Sequence, residues 1–301
     1  MTYLPNMVGT SAPKATDGSR RLLRELSETV TAFLGAGARH ISGLRVADAL
    51  GAAKKEAAAG HVATLAYWPY PDETPAAIAA DYLQAIDAIA DANLVSSVSI
   101  KADRLDYDWT VLLPVLQRSM ERKVTVHFDA QGRVDPTLDL VERACALGAD
   151  VSATLQSRLL RSLTDAERLI RLRIPIRVVK GQDKDPANPR LDRRRSYLAL
   201  IERLAGRAAH IGVATHDRRA AEPALDMLGR AKTPCSLEQL RSLPRLDFLA
   251  EARGIPVRAY VAYGRFGLPY SINEVFRRPA IVWWILRDTV ERFRGPGAIH
   301  S

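Results

Sequence analysis

Short β-branched and apolar runs recur along this chain, separated by stretches whose apolar positions follow a helical period. The runs fall at 61–67, 96–101, 123–129, 150–156, 175–180, 210–216, 233–237 and 256–263, at spacings of roughly 22 to 36 residues. That spacing is the size of a βα unit. Ile176-Arg-Val-Val179 and Ile211-Gly-Val-Ala214 read as apolar on both faces, which suits a buried parallel sheet. Amphipathic stretches at 75–92, 136–147, 164–173, 193–208, 218–230 and 243–253 supply helices between them. Eight such units close into a (β/α)8 TIM barrel. An open doubly wound sheet is the rival, but no G-x-G-x-x-G follows any predicted strand.

The first 60 residues break this rhythm. Two helices are predicted at 20–34 and 42–59, and residues 1–16, with two prolines and small polar residues, read as a flexible terminus. The expected organisation is a flexible segment 1–16, N-terminal helices over 17–60, the barrel over 61–295 and a tail at 296–301.

Composition narrows the class. A chain of 301 residues, 47% hydrophobic and 26% charged, can form one large domain burying about three quarters of its unfolded surface. No apolar run reaches a membrane-spanning length of about 18 residues, and the N-terminus carries no leader pattern. Cys145 and Cys235 are far apart and lack metal spacing, so a reduced, cytoplasmic protein is expected and no metal. The net charge of +9 comes mainly from scattered arginines. That pattern is a solvated surface rather than a nucleic-acid footprint, and it also favours an anionic ligand such as a dinucleotide.

Barrel active sites lie at the C-terminal ends of the strands. The polar residues there are Lys101, Asp129, Gln156, Lys180 with Gly181, Thr215 with His216, and Tyr260. Tyr270, Asn273 and Glu274 follow on the helix after the last strand. Each alone also reads as an ordinary loop residue, and Asp217 as the cap of a helix starting near Arg218. Arg177, inside a strand, is harder to dismiss, because a buried guanidinium must be paired.

The motifs that carry these residues resemble those of the flavin-dependent proline dehydrogenases. Arg177-Val-Val-Lys-Gly181 is similar to R-L-V-K-G, Ala214-Thr-His-Asp217 to A-T-H-[ND], and Tyr260-Val-Ala-Tyr-Gly264 to Y-V-P-Y-G. Ser99-Ile-Lys101, Asp129, Leu155-Gln156 and Arg278-Pro-Ala fall in the same order, so the likeness covers roughly 60–290. It implies a distorted barrel holding FAD above the strand ends and oxidising a carbon beside a substrate nitrogen. It further implies Asp129 and Arg177 as the catalytic pair. Ala130, Gln156, Arg177, Lys180, Gly181, Gln182, Thr215 and His216 would contact FAD. Lys101, Tyr260 and Tyr270 would line the substrate pocket, with a quinone or another acceptor taking the electrons and at most peripheral membrane contact. The residue types suit that chemistry: fixed cations and amide donors stabilise negative charge on a reduced flavin.

The resemblance fails at three points: the substrate-carboxylate site, strand seven, and Gly181-Gln182-Asp183, which replaces the usual small and aromatic residues after the lysine. Where the family places adjacent arginines that hold the proline carboxylate, this chain has Asn273 and Glu274. A charge-assisted hydrogen bond is worth about 1.5–3 kcal/mol, so two lost partners weaken carboxylate binding by roughly two to four decades. Strand seven also differs, with Ser236-Leu-Glu-Gln-Leu240 in place of an F-E-F-Q-M-L type. Three outcomes stay open: a proline-related or cyclic amine as substrate, L-proline itself giving 1-pyrroline-5-carboxylate, or a non-catalytic flavin-binding or interaction protein.

Overall fold

The computed structural model describes residues 43–264 other than 44, 71 and 182. The expected helix at 20–34, Gln182, and the last helix with Tyr270, Asn273 and Glu274 lie outside the described residues.

The order is α1 (Val46–Ala58), β1 (Val62–Tyr67), α2 (Pro75–Asp91), β2 (Ser96–Ile100), a 3-10 turn (Ala102–Leu105), α3 (Trp109–Arg122), β3 (Thr125–Phe128) and α4 (Val134–Leu147). It continues with β4 (Val151–Gln156), α5 (Ser162–Leu172), β5 (Pro175–Val179), α6 (Arg193–Leu204), β6 (His210–Ala214), α7 (Arg218–Arg230), β7 (Cys235–Leu240), α8 (Asp247–Glu251) and β8 (Val257–Tyr263). All eight strands pair in parallel, and β8 closes onto β1. This is the predicted (β/α)8 barrel. Several of its helices start where side chains cap them: Thr74 accepts from the Ala77 amide ahead of Pro75, Asp108 from Thr110, and Asp217 from Arg219.

The two faces of the strands differ more than their sequences suggest. The outer set, among them Leu65, Val98, Val126, Val178, Val213, Leu237 and Val261, is buried at no more than 1% exposure and packs with apolar residues of α2, α3 and α7 in one core. The inner set is polar: Thr64, Ser97, His127, Thr154, Arg177, Glu238 and Arg258. Barrel interiors are normally filled by branched aliphatic residues. Here small hydroxyls and paired charges fill much of that volume; of the two runs read as apolar on both faces, that of β5 turns Arg177 inward while that of β6 turns only Gly212 and Ala214 inward.

Strand seven corrects the expected bounds. It starts two residues later than predicted because the Thr233 hydroxyl takes the Gly206 amide and Pro234 cannot donate. It runs on to Leu240 because Glu238 is satisfied inside the barrel. The helix predicted at 243–253 shrinks to α8. The preceding loop spends its backbone groups on side chains instead, the Leu246 amide donating to Gln239 Oε1 at 2.6 Å and Pro244 O meeting His216 Nδ1 at 2.8 Å.

Candidate functional site at the C-terminal rim

Arg177 organises the site from inside the barrel. Its Nε donates to Glu238 Oε2 at 2.6 Å, and Nη2 lies 3.4 Å from Thr64 Oγ1 on the opposite wall. Burial opposes the charge on both partners. For Arg177, Glu238 and Asp129 outweigh it, so the guanidinium is held more firmly protonated than usual. For Glu238, Arg177 and Arg258 outweigh it, so the carboxyl sits below its ordinary range. Arg177 Nη1 is buried with no hydrogen-bond partner among the described residues.

Above this pair, the guanidinium sits 5.3 Å from the Tyr260 ring centroid, and the Tyr260 hydroxyl donates to Asp129 Oδ2 at 2.9 Å. Burial, then the Asp129 charge, keeps that phenol protonated well above its ordinary pKa. Asp129 is fixed at the end of β3 by its amide, which donates to Ile100 O at 2.9 Å. Asp129, Arg177 and Tyr260, which come from three different strands, are therefore brought together.

A second group lies beside it. Gln156 Nε2 donates to Ala130 O at 2.8 Å and to Asp183 Oδ2 at 3.1 Å. Two acceptors on one nitrogen fix the amide's orientation, and Oε1 is left buried without a donor among the described residues. Gly181 packs over it at φ +82°, where an added Cβ would lie 2.4 Å from Oε1. A backbone crossing that close, in a left-handed conformation, calls for glycine.

The rest of the predicted set is more self-contained. Lys180 Nζ pairs with Asp217 Oδ2 at 2.8 Å, an acceptor it shares with Arg194 at 3.3 Å. Thr215 Oγ1 takes the Asp217 amide at 3.1 Å, and Thr215 O takes Gln239 Nε2 at 2.7 Å. His216 Nε2 accepts from the Leu240 amide at 3.0 Å while Nδ1 faces a carbonyl, so both ring nitrogens are engaged in the neutral form. Its ring face and backbone are what it can offer a ligand.

Lys101 is 1% exposed at the end of β2. Its Nζ donates to Tyr67 O at 2.7 Å and lies 4.4 Å from the centroid of Trp68. Burial lowers its pKa to about 8, against the pull of Asp129 and Asp103. Trp68, whose indole N–H is buried without a partner among the described residues, gave no signal in the sequence beyond following a strand. Glu238 entered only as part of the altered strand seven, and His127 gave no signal. His127 lies between Ser152 Oγ at 2.7 Å and Thr154 Oγ1 at 2.6 Å, and burial, then Arg177, keeps it neutral.

A cavity of about 770 Å³ opens at the other end of the barrel, among His210, Thr233, Cys235, Arg253 and Ile255. It contains none of the predicted site residues, and the chemistry follows the rim.

The donor set at the rim fits an anionic, hydrogen-bonding cofactor. Among the described residues it offers a buried guanidinium nitrogen and a buried amide oxygen without partners, beside a backbone crossing at Gly181 that calls for glycine. A closed parallel barrel that collects its charged groups at the strand C-termini belongs to the class in which that rim is the working face. No model of a known protein family matches the chain. It is 22% identical over 273 residues to proline dehydrogenase 1 of Bacillus subtilis subsp. natto, covering 84% of this chain and 90% of that protein. It is 28% identical over 220 residues to the proline dehydrogenase of Deinococcus radiodurans, covering 66% and 71%. In structure it is similar to proline utilization A of Bdellovibrio bacteriovorus inactivated by N-propargylglycine, with TM-score 0.67 and 16% identity over 84% of this chain. The chain spans about a third of that longer protein, 34%. In sequence, at 22–28% identity, the chain is similar to proline dehydrogenases.

Proposed function

We propose that this chain is a flavin-dependent oxidoreductase acting on the CH–NH group of a small amine, with FAD held at the rim of the barrel segment 61–295. The observation that carries this reading is Arg177: a buried cation, fixed by Glu238, beside the Asp129–Tyr260 pair and with one nitrogen unpaired among the described residues. An unpaired buried donor is costly, and a site that keeps one is built for an acceptor that arrives with a ligand. FAD, when bound there, would supply the two-electron acceptor.

The chain's own residues supply position and charge. Arg177 would meet negative charge as it develops, which is the largest electrostatic contribution such a site can make. Gln156 Oε1 would accept from a ring N–H, and Gly181 and Ala130 would bring backbone close to the cofactor. Asp129 and Tyr260 would orient the substrate, since hydride transfer depends on alignment more than on acid–base strength. Gln182, Lys180, Thr215 and His216 complete the proposed cofactor contacts, and a quinone is the proposed electron acceptor.

The substrate reading rests on the two positions that depart from the family. Asn273 and Glu274 replace a cationic pair, so the favoured substrate is a proline-related or cyclic amine whose carboxylate is masked or missing, with Tyr270 alongside. Lys101 favours a second reading. One buried cation at the end of β2 would still attract a carboxylate, and L-proline giving 1-pyrroline-5-carboxylate is the reaction it would serve. An anaerobic titration following the flavin's long-wavelength band decides between them. Bleaching by pyrrolidine or prolinamide at concentrations where L-proline leaves the band unchanged supports the altered substrate. Bleaching by L-proline at modest concentration overturns it in favour of the second reading.

A further inference from the structure

Glu238 reaches Arg177 over Gly212, where the inner face of β6 carries no side chain. Gly212 on β6 is the register partner of Arg177 on one side and of Ser236 on the other. Glu238 leans over it: a methyl group at 212 would lie 2.3 Å from Oε1 and 2.6 Å from Cδ. Gly212 has no positive φ, so its backbone does not call for glycine. Space does. The carboxylate in that space is used on both sides, with Oε2 taking Arg177 Nε, and Oε1 lying 3.3 Å from Ser236 Oγ and 3.6 Å from Arg258 Nε.

A charge partner alone would not need this arrangement. A bidentate fork would tie up two guanidinium nitrogens. Here Glu238 takes Nε, Thr64 faces Nη2, and Nη1 is left over among the described residues. We infer that Glu238, seated in the space above Gly212, is a positioning residue that sets the Arg177 guanidinium and keeps Nη1 available at the Asp129–Tyr260 end of the barrel. The reaction site it serves rests on the flavin reading above; the positioning itself rests on the geometry of three strands.

The test changes geometry while keeping every charge. In Gly212→Ala the atoms displaced are the far end of a flexible side chain, so the carboxylate moves and the backbone does not have to. In the double variant with Glu238→Asp, the shorter acid withdraws from the new methyl. Two signals are read in nitrogen-15-labelled protein: exchange of the Arg177 Nε–H, assigned by its loss in Arg177→Lys, and the midpoint potential of the bound flavin.

Gly212→Ala is expected to speed that exchange at least tenfold. It should also shift the potential to more negative values by about 30 mV, the equivalent of tenfold for a two-electron couple. The double variant should recover both. Folded Gly212→Ala protein with unchanged exchange and potential overturns the inference, as does a double variant no better than the single one, which would mark a packing defect. If Gly212→Ala does not fold, Glu238→Gln takes its place, read by the Nε–H exchange alone, with faster exchange expected and no change as the contrary result. Wild-type protein that binds no flavin overturns the proposed function instead, and the Nε–H exchange still decides the positioning.

Discussion

Two cations leave strand β5 three residues apart, and they differ in almost everything except distance to a carboxylate. Arg177 meets Glu238 at 2.6 Å inside the barrel, where its side chain is 5% exposed. Lys180 meets Asp217 at 2.8 Å on the rim, where its side chain is 29% exposed. The inner pair is buried in a medium that screens little, so each charge depends on the other. The outer pair competes with solvent and with Arg194, and its acid already serves as the cap of α7. Distance alone therefore says little about what an ion pair is worth; burial decides.

Removing one partner from each pair should separate them most widely. Glu238→Ala leaves an uncompensated buried guanidinium and is expected to destabilise the protein by about 3–5 kcal/mol, read by urea unfolding. A loss below about 1 kcal/mol would mean that water enters the barrel and that the two regions are alike.

Gly181→Ala comes next, since the added methyl meets Gln156 and the backbone is left-handed. A cost of roughly 2 kcal/mol is expected from the conformation alone, together with weaker FAD retention in a flavin-release assay. Full retention would remove the Gly181–Gln156 crossing from the proposed cofactor site.

Lys101 sharpens the comparison through pH. Its pKa is near 8 in the folded chain, against 10.5 for an ordinary lysine. Between those values the unfolded form binds the extra proton, so Lys101 makes stability rise as pH rises from 8 towards 10. Below pH 8 both forms are charged and the burial cost is present in full. The buried tyrosines act in the opposite direction above pH 10, because burial raises phenols such as Tyr82 above their unfolded value. Unfolding measured from pH 8 to 10 should gain on the order of 2 kcal/mol, and Lys101→Met should flatten the slope. Affinity for a carboxylate ligand should fall over the same range as the cation is lost.

Asp217→Ala should have the smallest effect. It removes a helix cap and a half-exposed pair, for about 1 kcal/mol, and high salt should shrink the pair's share. A loss as large as that of Glu238→Ala would contradict the contrast between wall and rim.

The outer face of the barrel was legible in the sequence because it is written locally, as β-branched runs at even spacing with Pro and Asp at the helix starts. The rim residues were legible as a set because they follow those runs. The inner face was not. Arg177 announced that it needed a partner, but that partner lies 61 residues away, just past where strand seven was expected to end. His127 sits in a strand with no mark to distinguish it from a surface histidine, and its hydroxyl partners come from the next strand. The engaged ring nitrogens of His216 depend on a loop whose path follows from Gln239, which periodicity does not reveal.

The central claim is that the rim around Arg177, Gln156 and Gly181 holds a flavin. The most direct measurement is the visible spectrum of the purified chain after incubation with FAD and removal of the excess, with the bound cofactor then released by denaturation and counted. About one FAD per chain, released without covalent attachment, is the predicted result. A colourless protein with no retained flavin would contradict the account.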